Sequence, residues 1–312
     1  MLRGRRRVTA LLDPASSVEL CAVWRSEVPE SRHLGAAAVV DPDGTLLASL
    51  GSPDALIYPR STLKLVQATA VELAGVVLDQ VATALTAASH AGTPRHVEVV
   101  RRILDHAGLD ESSLRCPADW PADPVARRAA DAPRPITMNC SGKHAGFLAA
   151  CVANGWDTEG YLDPAHPMQR HVLELTSSLA GETLSTLGID GCGAPVPLMS
   201  LVGLARAASR TARSGTALGD AIRSHPWAID GPGRANTVTI EKTGLVAKLG
   251  AEGVLVLVTP DGASVAVKAL DGSHRATTPA GLELLVREGL LARSTADAVL
   301  AEIGTPGLRV SF

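Results

Sequence analysis

Apolar residues change their spacing along the chain, and these changes divide it into sections. Residues 35–40 and 45–50 are short apolar runs. The segment between them, Asp41-Pro42-Asp43-Gly44, is typical of a β-hairpin turn. From residue 61 to about residue 109 the apolar spacing is helical, with two breaks. The first third of the chain therefore predicts a hairpin followed by helices.

The rest of the chain returns to helical spacing and then changes to strands. Three sections have helical spacing, at residues 142–153, 167–179 and 198–212. Three short β-rich runs follow between glycine-containing turns, at residues 244–249, 253–258 and 264–269. Residues 278–291 predict one more helix, whereas residues 116–135 are rich in Pro, Ala and Asp and predict an irregular excursion.

Strands near both ends and helices in the middle indicate the α/β fold class. We expect one antiparallel sheet built from both chain ends, with helices packed on it and a mainly helical lobe inserted. A single domain over residues 1–312 would then contain an α/β lobe, residues 18–60 and 230–312, and a helical lobe, residues 61–229. A cleft between the two lobes would be the natural place for an active site.

Composition excludes several classes of protein. With 312 residues, 46% of them hydrophobic, the chain can bury a large core. A formal net charge of −3 gives no reason to expect a nucleic-acid partner. No run approaches the roughly 18 apolar residues that a membrane span needs, so we expect no membrane association. The apolar stretch after the basic start, Arg3 to Arg7, is too short for a signal-peptide core, which predicts a cytoplasmic protein.

Lysine is rare in this chain, so each lysine is of chemical interest. Only five of the 29 basic residues are lysines. Unlike arginine, lysine can lose its proton when burial or a neighbouring cation lowers its pKa, and a general base must be able to do so. Lys64 follows Ser61 by three residues at a predicted helix start, where residues i and i+3 share a face. The spacing predicts a hydroxyl within reach of an amine.

A purely structural interpretation of this pair stays open. Ser61 could be the N-cap of an ordinary helix, with Lys64 a solvated residue of its first turn. A cation in a first turn is electrostatically unfavourable, however, which favours the catalytic interpretation.

Two further segments carry candidate groups for catalysis. Ser89, in residues 87–94, is a second candidate hydroxyl, although it could equally end one helix and begin the cap of the next. Lys248 lies on a predicted strand that continues into the glycine-rich edge Leu249-Gly250-Ala251. In serine acyl-transfer enzymes with a Ser-x-x-Lys motif, a second lysine comes from such a strand. Two lysines in one site would lower each other's pKa.

Two other lysines are weaker candidates for this position. Lys242 is part of a literal Lys-Thr-Gly sequence, but it precedes the predicted strand. Lys268 lies on a later strand beside the Asp271-Gly272 turn. We therefore rank both below Lys248.

Cysteines and acids are concentrated in two other segments. Residues 138–146 contain a thiol, a hydroxyl, an amine and an imidazole, and residues 188–195 place Asp190 and Cys192 in a glycine-rich turn. The five cysteines are odd in number and widely spread, which does not suggest a disulfide framework. If Cys140 and Cys192 met in space, two thiolates and a nearby donor would suit Zn²⁺, although free buried cysteines are the commoner outcome.

Six ordered motifs give the chain a resemblance to the Rhizobium etli-type L-asparaginases, from about residue 18 to residue 276. The motifs are Arg60-Ser-x-x-Lys64, Ser89-His90, Asn139-Cys-Ser-Gly-Lys-His144, Asp190-Gly-Cys192, Gly233-Arg234 and Lys248-Leu-Gly-Ala251. The resemblance implies a fold similar to that of serine β-lactamases and glutaminases. It also implies hydrolysis of L-asparagine to L-aspartate and ammonia, with a small-molecule substrate, and we expect a homodimer.

The resemblance assigns roles to residues at matching positions. Ser61 and Lys64 correspond to the nucleophile and its base, and Ser89 and Lys248 to a second Ser-Lys pair in the same site. The implied zinc ligands are Cys140, Lys143 and Cys192, with the lysine binding as a neutral amine. The implied substrate contacts are Arg60, Asp190, His144, Gly250 and Ala251.

The chain departs from the family pattern at three places. Leu65 follows the Ser-x-x-Lys motif where relatives often have Pro, and the stretch between Ser61 and Ser89 is several residues shorter. Asn236 occupies a position that is cysteine in the best-known member. These changes leave the reacting groups intact and bear on substrate preference.

Several readings of function remain open from the sequence. A glutaminase would use the same chemistry on a side chain one methylene longer. A penicillin-interacting peptidase or lactamase shares the Ser-x-x-Lys step, and a scaffold in which these residues only pack is the non-enzymatic alternative. Which of the two serines is the nucleophile is also open, because both have a lysine partner.

Overall fold

One antiparallel sheet organises the computed structural model, which describes residues 10–304 and 306–312. The start of the chain supplies β1 (Val18–Arg25), β2 (Val28–Val40) and β3 (Leu46–Leu50). The end supplies β8 (Val246–Gly250), β9 (Val254–Val258), β10 (Ser264–Ala269) and β11 (Leu308–Val310). The strand order is β11-β1-β2-β10-β9-β8, and β3 also pairs with β2. The two chain ends therefore meet where β2 pairs with β10.

Four short strands lie outside this sheet. They are β4 (Leu56–Ile57), β5 (Leu187–Ile189), β6 (Pro195–Pro197) and β7 (Met199–Ser200). Strand β4 pairs with β7, and β5 pairs with β6. The β5–β6 ribbon encloses the turn at residues 190–194, which contains two of the residues singled out by the sequence.

Eleven α-helices within the described residues surround the sheet. The central ones are α1 (Lys64–Leu73), α2 (Gln80–Thr86), α3 (Pro94–His106), α4 (Pro124–Ala129), α5 (Ser141–Asn154), α6 (Pro167–Ala180), α7 (Leu201–Ala212) and α8 (Ala217–Ser224). The others are α9 (Ala235–Thr243), α10 (Thr277–Arg287) and α11 (Arg293–Ile303). Helices α7 and α10 pack on β9 and β10, and α5 packs against α1, α2 and α3.

Packing explains why the sheet is stable at its centre. Every residue of β9 is buried, and the alanines of β2, residues 36–38, are fully buried too. Small and β-branched side chains suit a sheet that is covered by closely packed helices. Two lysines, Lys64 and Lys248, are among the largest fully buried side chains. Burying amines is costly unless they are hydrogen-bonded, so two buried lysines indicate a functional site rather than a contribution to stability.

The sequence predicted much of this architecture. The α/β class and the antiparallel sheet from both chain ends are confirmed. The predicted helix at residues 278–291 is wrong in extent, because α10 ends at Arg287 and a separate helix, α11, follows it. The excursion at residues 116–135 contains the short helix α4. The division into an α/β and a helical lobe stays a prediction.

Three other sequence-based expectations concern the chain as a whole. The basic segment Arg3 to Arg7 lies outside the described residues. Within the described part of the chain, none of the helices combines the length and apolarity that crossing a membrane requires. All five cysteines are buried and carry free thiols.

Candidate active site

Ser61 lies in the connection between β4 and α1. It belongs to a 3-10 turn, Arg60–Leu63, whose shape is supported by a hydrogen bond from Thr62 Oγ1 to Pro59 O at 2.7 Å. Arg60, directly before the serine, has a left-handed φ of 52°. A residue with a side chain costs about 1–3 kcal/mol in such a conformation, and such strain is concentrated at functional sites. The N-cap of α1 is Leu63, so the interpretation of Ser61 as a helix cap is wrong.

Lys64 directs its amine into the protein toward the second serine. The residue is only 1% exposed, and Nζ donates to Ala88 O at 2.5 Å and to Ser89 Oγ at 3.1 Å. A third acceptor, Asn139 O, lies 3.5 Å away. The Lys64 backbone N–H donates to Ser61 O, but among the described residues no hydrogen bond joins Ser61 Oγ to Lys64 Nζ. The predicted pair therefore shares one turn of chain, while the amine contacts the other serine.

Ser89 is the point where the two buried lysines meet. Its backbone amide donates to Ile229 O at 2.9 Å, which fixes the loop between α2 and α3. Lys248 Nζ donates to Ser89 Oγ at 2.7 Å, and Lys64 Nζ approaches the same oxygen from another element. The structure thus joins one hydroxyl and two amines from three separate parts of the chain.

Electrostatics favours a neutral amine at Lys248. Burial first, and the charge of Lys64 second, lower the pKa of Lys248 to about 7, against a smaller opposite influence of Asp230. A lysine with this pKa is partly unprotonated near neutral pH, as a general base requires. The charge of Lys64 thus contributes to the lowered pKa of Lys248, as expected for two lysines in one site.

The outer edge of β8 is held in place by a side chain of α9. Leu249 N donates to Asn236 Oδ1 at 2.9 Å, and Leu249 O accepts a hydrogen bond from Lys248 Nζ at 2.7 Å. Strand β8 ends at Gly250, and Ala251 is the first residue of the turn that follows it. Asn236 therefore anchors β8 at Leu249, the residue after Lys248.

Close contact between β8 and the Ser61 turn depends on Gly250. A Cβ atom at this position would lie 2.9 Å from Pro59 O and 3.1 Å from Ser61 N. Real Cβ atoms essentially never approach to less than 3.0 Å, so only glycine allows this approach. The end of β8, one residue before Ala251, is thereby packed directly against the Ser61 amide.

An acid and a guanidinium lie at the partly open side of the site. Arg60 Nε donates to Asp190 Oδ1 at 2.8 Å, and their side chains are 25% and 15% exposed. Burial disfavours the charge of Asp190, but the amide of Gly191 and the guanidinium of Arg60 outweigh it and lower the pKa of the carboxyl group. Glu252, on the turn after β8, lies 3.9 Å from the same guanidinium.

The two cysteines predicted to meet do meet, together with Lys143. Cys140 and Cys192 are almost fully buried, and Lys143 Nζ donates to Cys192 Sγ at 2.9 Å. Their mutual hydrogen bond lowers the pKa of Cys140 and raises that of Cys192. Burial disfavours the charge of Lys143, but the sulfurs of Cys192 and Cys140 outweigh it and raise its pKa. Two sulfurs and one nitrogen thus converge.

His144, one of the expected substrate contacts, is fully buried next to these sulfurs. Tyr161 Oη accepts a hydrogen bond from Arg115 N at 3.0 Å and lies 2.7 Å from His144 Nδ1. With the Tyr161 hydroxyl hydrogen directed at Nδ1, the hydrogen of a neutral imidazole lies on Nε2. Nε2 is buried and has no hydrogen-bond partner among the described residues. Burial first, and the charge of Lys143 second, lower the pKa of His144 to about 4.

The two weaker lysine candidates lie elsewhere. Lys242, at the end of α9, pairs with Glu302 at 2.8 Å. Lys268 Nζ donates to Glu252 O at 2.6 Å and to Ala269 O. The ranking of Lys248 above both agrees with this geometry.

Sequence reasoning missed a group that supports Lys248. Asp230 is 5% exposed and accepts hydrogen bonds from Arg234 Nε at 2.5 Å and from Asn236 Nδ2 at 3.0 Å. Asn236 in turn binds the β8 edge. The Asp230-Gly231-Pro232-Gly233-Arg234 sequence was the available signal, because a carboxylate beside a glycine-rich turn and a basic residue indicates a fixed loop.

Comparison with known proteins gives a family match and distant structural likenesses. A family model described as L-asparaginase II matches residues 21–309. No curated protein matches the chain. A β-lactamase from Mycobacterium bovis is 17% identical, with 87% of this chain and 95% of that chain covered and a TM-score of 0.40.

Two further structures are also similar. One is Mglu in its glutamate form, 14% identical, with 88% of this chain and 66% of that chain covered and a TM-score of 0.48. The other is a probable glutaminase, YbaS, 14% identical, with 87% of this chain and 86% of that chain covered and a TM-score of 0.45. These likenesses are distant, and the α/β fold class follows from the strand order and helix packing described above.

Proposed function

Because the chain belongs to the L-asparaginase II family, we propose that it is an amidohydrolase that converts L-asparagine to L-aspartate and ammonia. One observation carries this proposal: a single hydroxyl, Ser89 Oγ, lies within hydrogen-bond distance of two buried amines. Such a cluster has no structural advantage, because burying two neighbouring cations is costly. It does suit acyl transfer, which needs a hydroxyl, a base and a route for protons.

The Lys64–Ser89–Lys248 cluster is proposed to move protons between its amines. Ser89 can accept a proton from Lys64 and pass its own to Lys248, so either amine can become the neutral base. Because the pKa of Lys248 is about 7, this amine is partly unprotonated near neutral pH and can accept a proton. General-base catalysis of this kind contributes about 10²–10⁴-fold to rate.

Ser61 is the proposed nucleophile. Its oxygen attacks the side-chain amide carbon while its proton goes to Lys64, and the amides of Ser61 and Ala251 hold the oxygen that becomes negative. The C–N bond then breaks as the leaving nitrogen takes a proton from the relay, which releases ammonia. Water next attacks the Ser61 ester and gives a proton to the relay; the ester C–O bond then breaks to release aspartate, and the relay returns a proton to Ser61 Oγ. Gly250 supports this assignment, because it brings the Ala251 edge against the Ser61 turn.

Arg60 and Asp190 are proposed to read the α-amino acid end of the substrate. Without substrate, the Arg60 guanidinium and the Asp190 carboxylate pair with each other at 2.8 Å. A substrate carboxylate would pair with the guanidinium, and its ammonium with the carboxylate. This exchange favours a free amino acid over an amide inside a peptide, which lacks both charges.

Cys140, Lys143 and Cys192 fit a zinc site, and we propose that they hold one. Two sulfurs and an amine nitrogen converge in a buried place, and three protein ligands with an open fourth position are typical of zinc sites in enzymes. When bound, zinc would supply positive charge beside Asp190, which helps to orient substrate. His144 would orient Cys192, since its unpartnered Nε2 carries the hydrogen.

Glutaminase activity is the second candidate. The reacting groups would be the same, and one methylene changes selectivity by only about 1–3 kcal/mol. A homodimer and a cytoplasmic location are further parts of the proposal. Light scattering of the purified protein and cell fractionation would test them.

Ammonia release tests the proposal directly. Wild type is compared on asparagine and glutamine with the Ser61→Ala and Lys64→Ala variants, and with Lys242→Ala, a lysine remote from the site, as the control. We expect both site variants to lose activity by at least about 10³-fold while remaining folded, and the control to resemble wild type. No ammonia from either amide would refute an amidohydrolase. Mass spectrometry of an acylated enzyme that carries its adduct on Ser89 would refute Ser61 as nucleophile.

A further inference from the structure

A separate cavity lies at the beginning of α10 and is lined in part by Leu249. Its volume is about 220 Å³, smaller than the roughly 300–1,000 Å³ of pockets for drug-sized ligands. Apolar walls come from Leu249, Pro279, Leu300 and Ile303. None of the groups proposed for catalysis lines it, although Leu249 directly follows Lys248 in the chain.

Thr278 presents unused hydrogen-bond donors to this cavity. The residue is 5% exposed and lines the cavity, and its hydroxyl has no hydrogen-bond partner among the described residues. The Thr277 amide and hydroxyl both donate to His274 O, at 3.3 Å and 3.1 Å. Pro279 has no amide hydrogen, and in residues 10–304 and 306–312 the Thr278 amide has no backbone acceptor. Thr278 therefore offers both N–H and O–H.

The N-terminus of α10 and the Arg275 side chain add positive charge at the same cavity. Helix α10 has eleven residues and no side-chain cap, so its N-terminal dipole is open to a ligand. Arg275 lines the cavity, and no ion pair of its guanidinium occurs in the part of the chain that the structure describes. His274 also lines the cavity, but burial first and the charge of Lys248 second lower its pKa, so the positive charge comes from Arg275. Glu302, beside the cavity residue Ile303, is already paired with Lys242 at 2.8 Å. An anion would thus meet donors without a competing carboxylate on α11.

We propose that this cavity binds a small organic carboxylate with a short alkyl chain. The carboxylate would accept hydrogen bonds from the Thr278 amide and hydroxyl and pair with Arg275, while the alkyl chain would contact Leu249, Leu300 and Ile303. A helix N-terminus would serve phosphate as well, but the apolar walls favour a ligand with an apolar end. The site is independent of the amide hydrolysis proposed above.

Calorimetric titration with butyrate tests the proposal, with butyramide and inorganic phosphate as comparison probes. We expect saturable butyrate binding with a Kd of about 1 mM, and weaker binding of both comparison probes. Arg275→Gln and Thr278→Val should each weaken butyrate at least about fivefold, and Thr278→Ser should restore it. Arg101→Gln, an exposed arginine on α3, is the matched control and should bind as wild type does.

Three results would overturn the proposal. The first is a lack of saturable butyrate binding to folded wild type. The second is binding that survives in both Arg275→Gln and Thr278→Val but disappears in Arg60→Gln, which would place butyrate in the active site. The third is tighter binding of phosphate or butyramide than of butyrate, which would refute the ligand class. None of these results depends on catalytic activity, so they are distinguishable from failure of the proposed function.

Discussion

At the scale of single residues, the proposed chemistry depends on where two lysine amines end. Lys64 and Lys248 are 184 residues apart in sequence, yet both reach Ser89 Oγ. Their proximity and burial give Lys248 a pKa of about 7. A reader of the sequence could identify both lysines from their motifs. The sharing of one hydroxyl could not be foreseen, because it depends on the loop that Ile229 fixes.

The lowered pKa of Lys248 predicts the pH dependence of activity. Only the unprotonated amine accepts a proton, so kcat/KM should rise as pH increases through about 7. A direct check is the Lys248 titration by NMR after isotopic dimethylation of lysines. In Lys64→Met the pKa of Lys248 should increase, because the neighbouring positive charge is removed. An unchanged titration in this variant would contradict the assigned cause.

Gly250 supplies a second prediction at this scale. Gly250→Ala places a methyl group against Pro59 O and Ser61 N, so β8 and the Ser61 turn must separate. We expect kcat to fall about 10²-fold, as for the loss of one oxyanion donor, in a protein that still folds. Gly160→Ala is the matched control, since the added methyl group meets only the movable Asp157 side chain. Equal activity of the two variants would show that close approach is unimportant.

At the scale of elements, two helices and one strand fix the site. The start of α5 carries Lys143 three residues after Cys140, and α9 holds the β8 edge through Asn236. The sequence predicted α5 and β8 because their apolar spacing is regular. It missed β1, α8, α9, α11 and β11. Helix α9 has buried Thr and Asn where a core face would normally be apolar, and β11 is only three residues long.

The contact between Tyr161 and His144, next to Cys192, gives a prediction about metal binding. Tyr161→Phe removes only the hydroxyl that fixes the tautomer of His144. We expect zinc affinity, measured by competition with a chelator, to fall about 10-fold, as for other outer partners of zinc ligands. Cys192→Ala should lose the metal altogether. If Tyr161→Phe binds zinc as wild type does, the imidazole has no role in holding the sulfur.

At the scale of the whole molecule, the buried lysine cluster lowers stability. The charged form of Lys248 is disfavoured by burial, so its pKa is about 7 in the folded protein against an ordinary value of 10.5. Between these values the unfolded chain binds more protons, and stability rises with pH. Below about pH 7 the full cost of the buried charge remains.

Replacing Lys248 with an apolar residue of similar shape should therefore stabilise the protein. Lys248→Met should melt about 5 °C higher than wild type at pH 6, and this difference should shrink toward pH 9. Scanning calorimetry of both proteins over this range is the measurement. Activity should be lost throughout. A lower melting temperature for the variant at pH 6 would mean that hydrogen bonds of Lys248 outweigh its burial.

The pairing of β2 with β10 joins residues 35–40 to residues 264–269. Contacts between such distant parts of a chain form late, because closing a long loop costs entropy before any contact is gained. Ser61 is made early by the ribosome, and Lys248 only after most of the polypeptide has been synthesised. On the mechanism proposed above, a nascent or prematurely terminated chain that lacks β8 has Ser61 and Lys64 but not Lys248, so its proton relay is incomplete until synthesis is nearly finished.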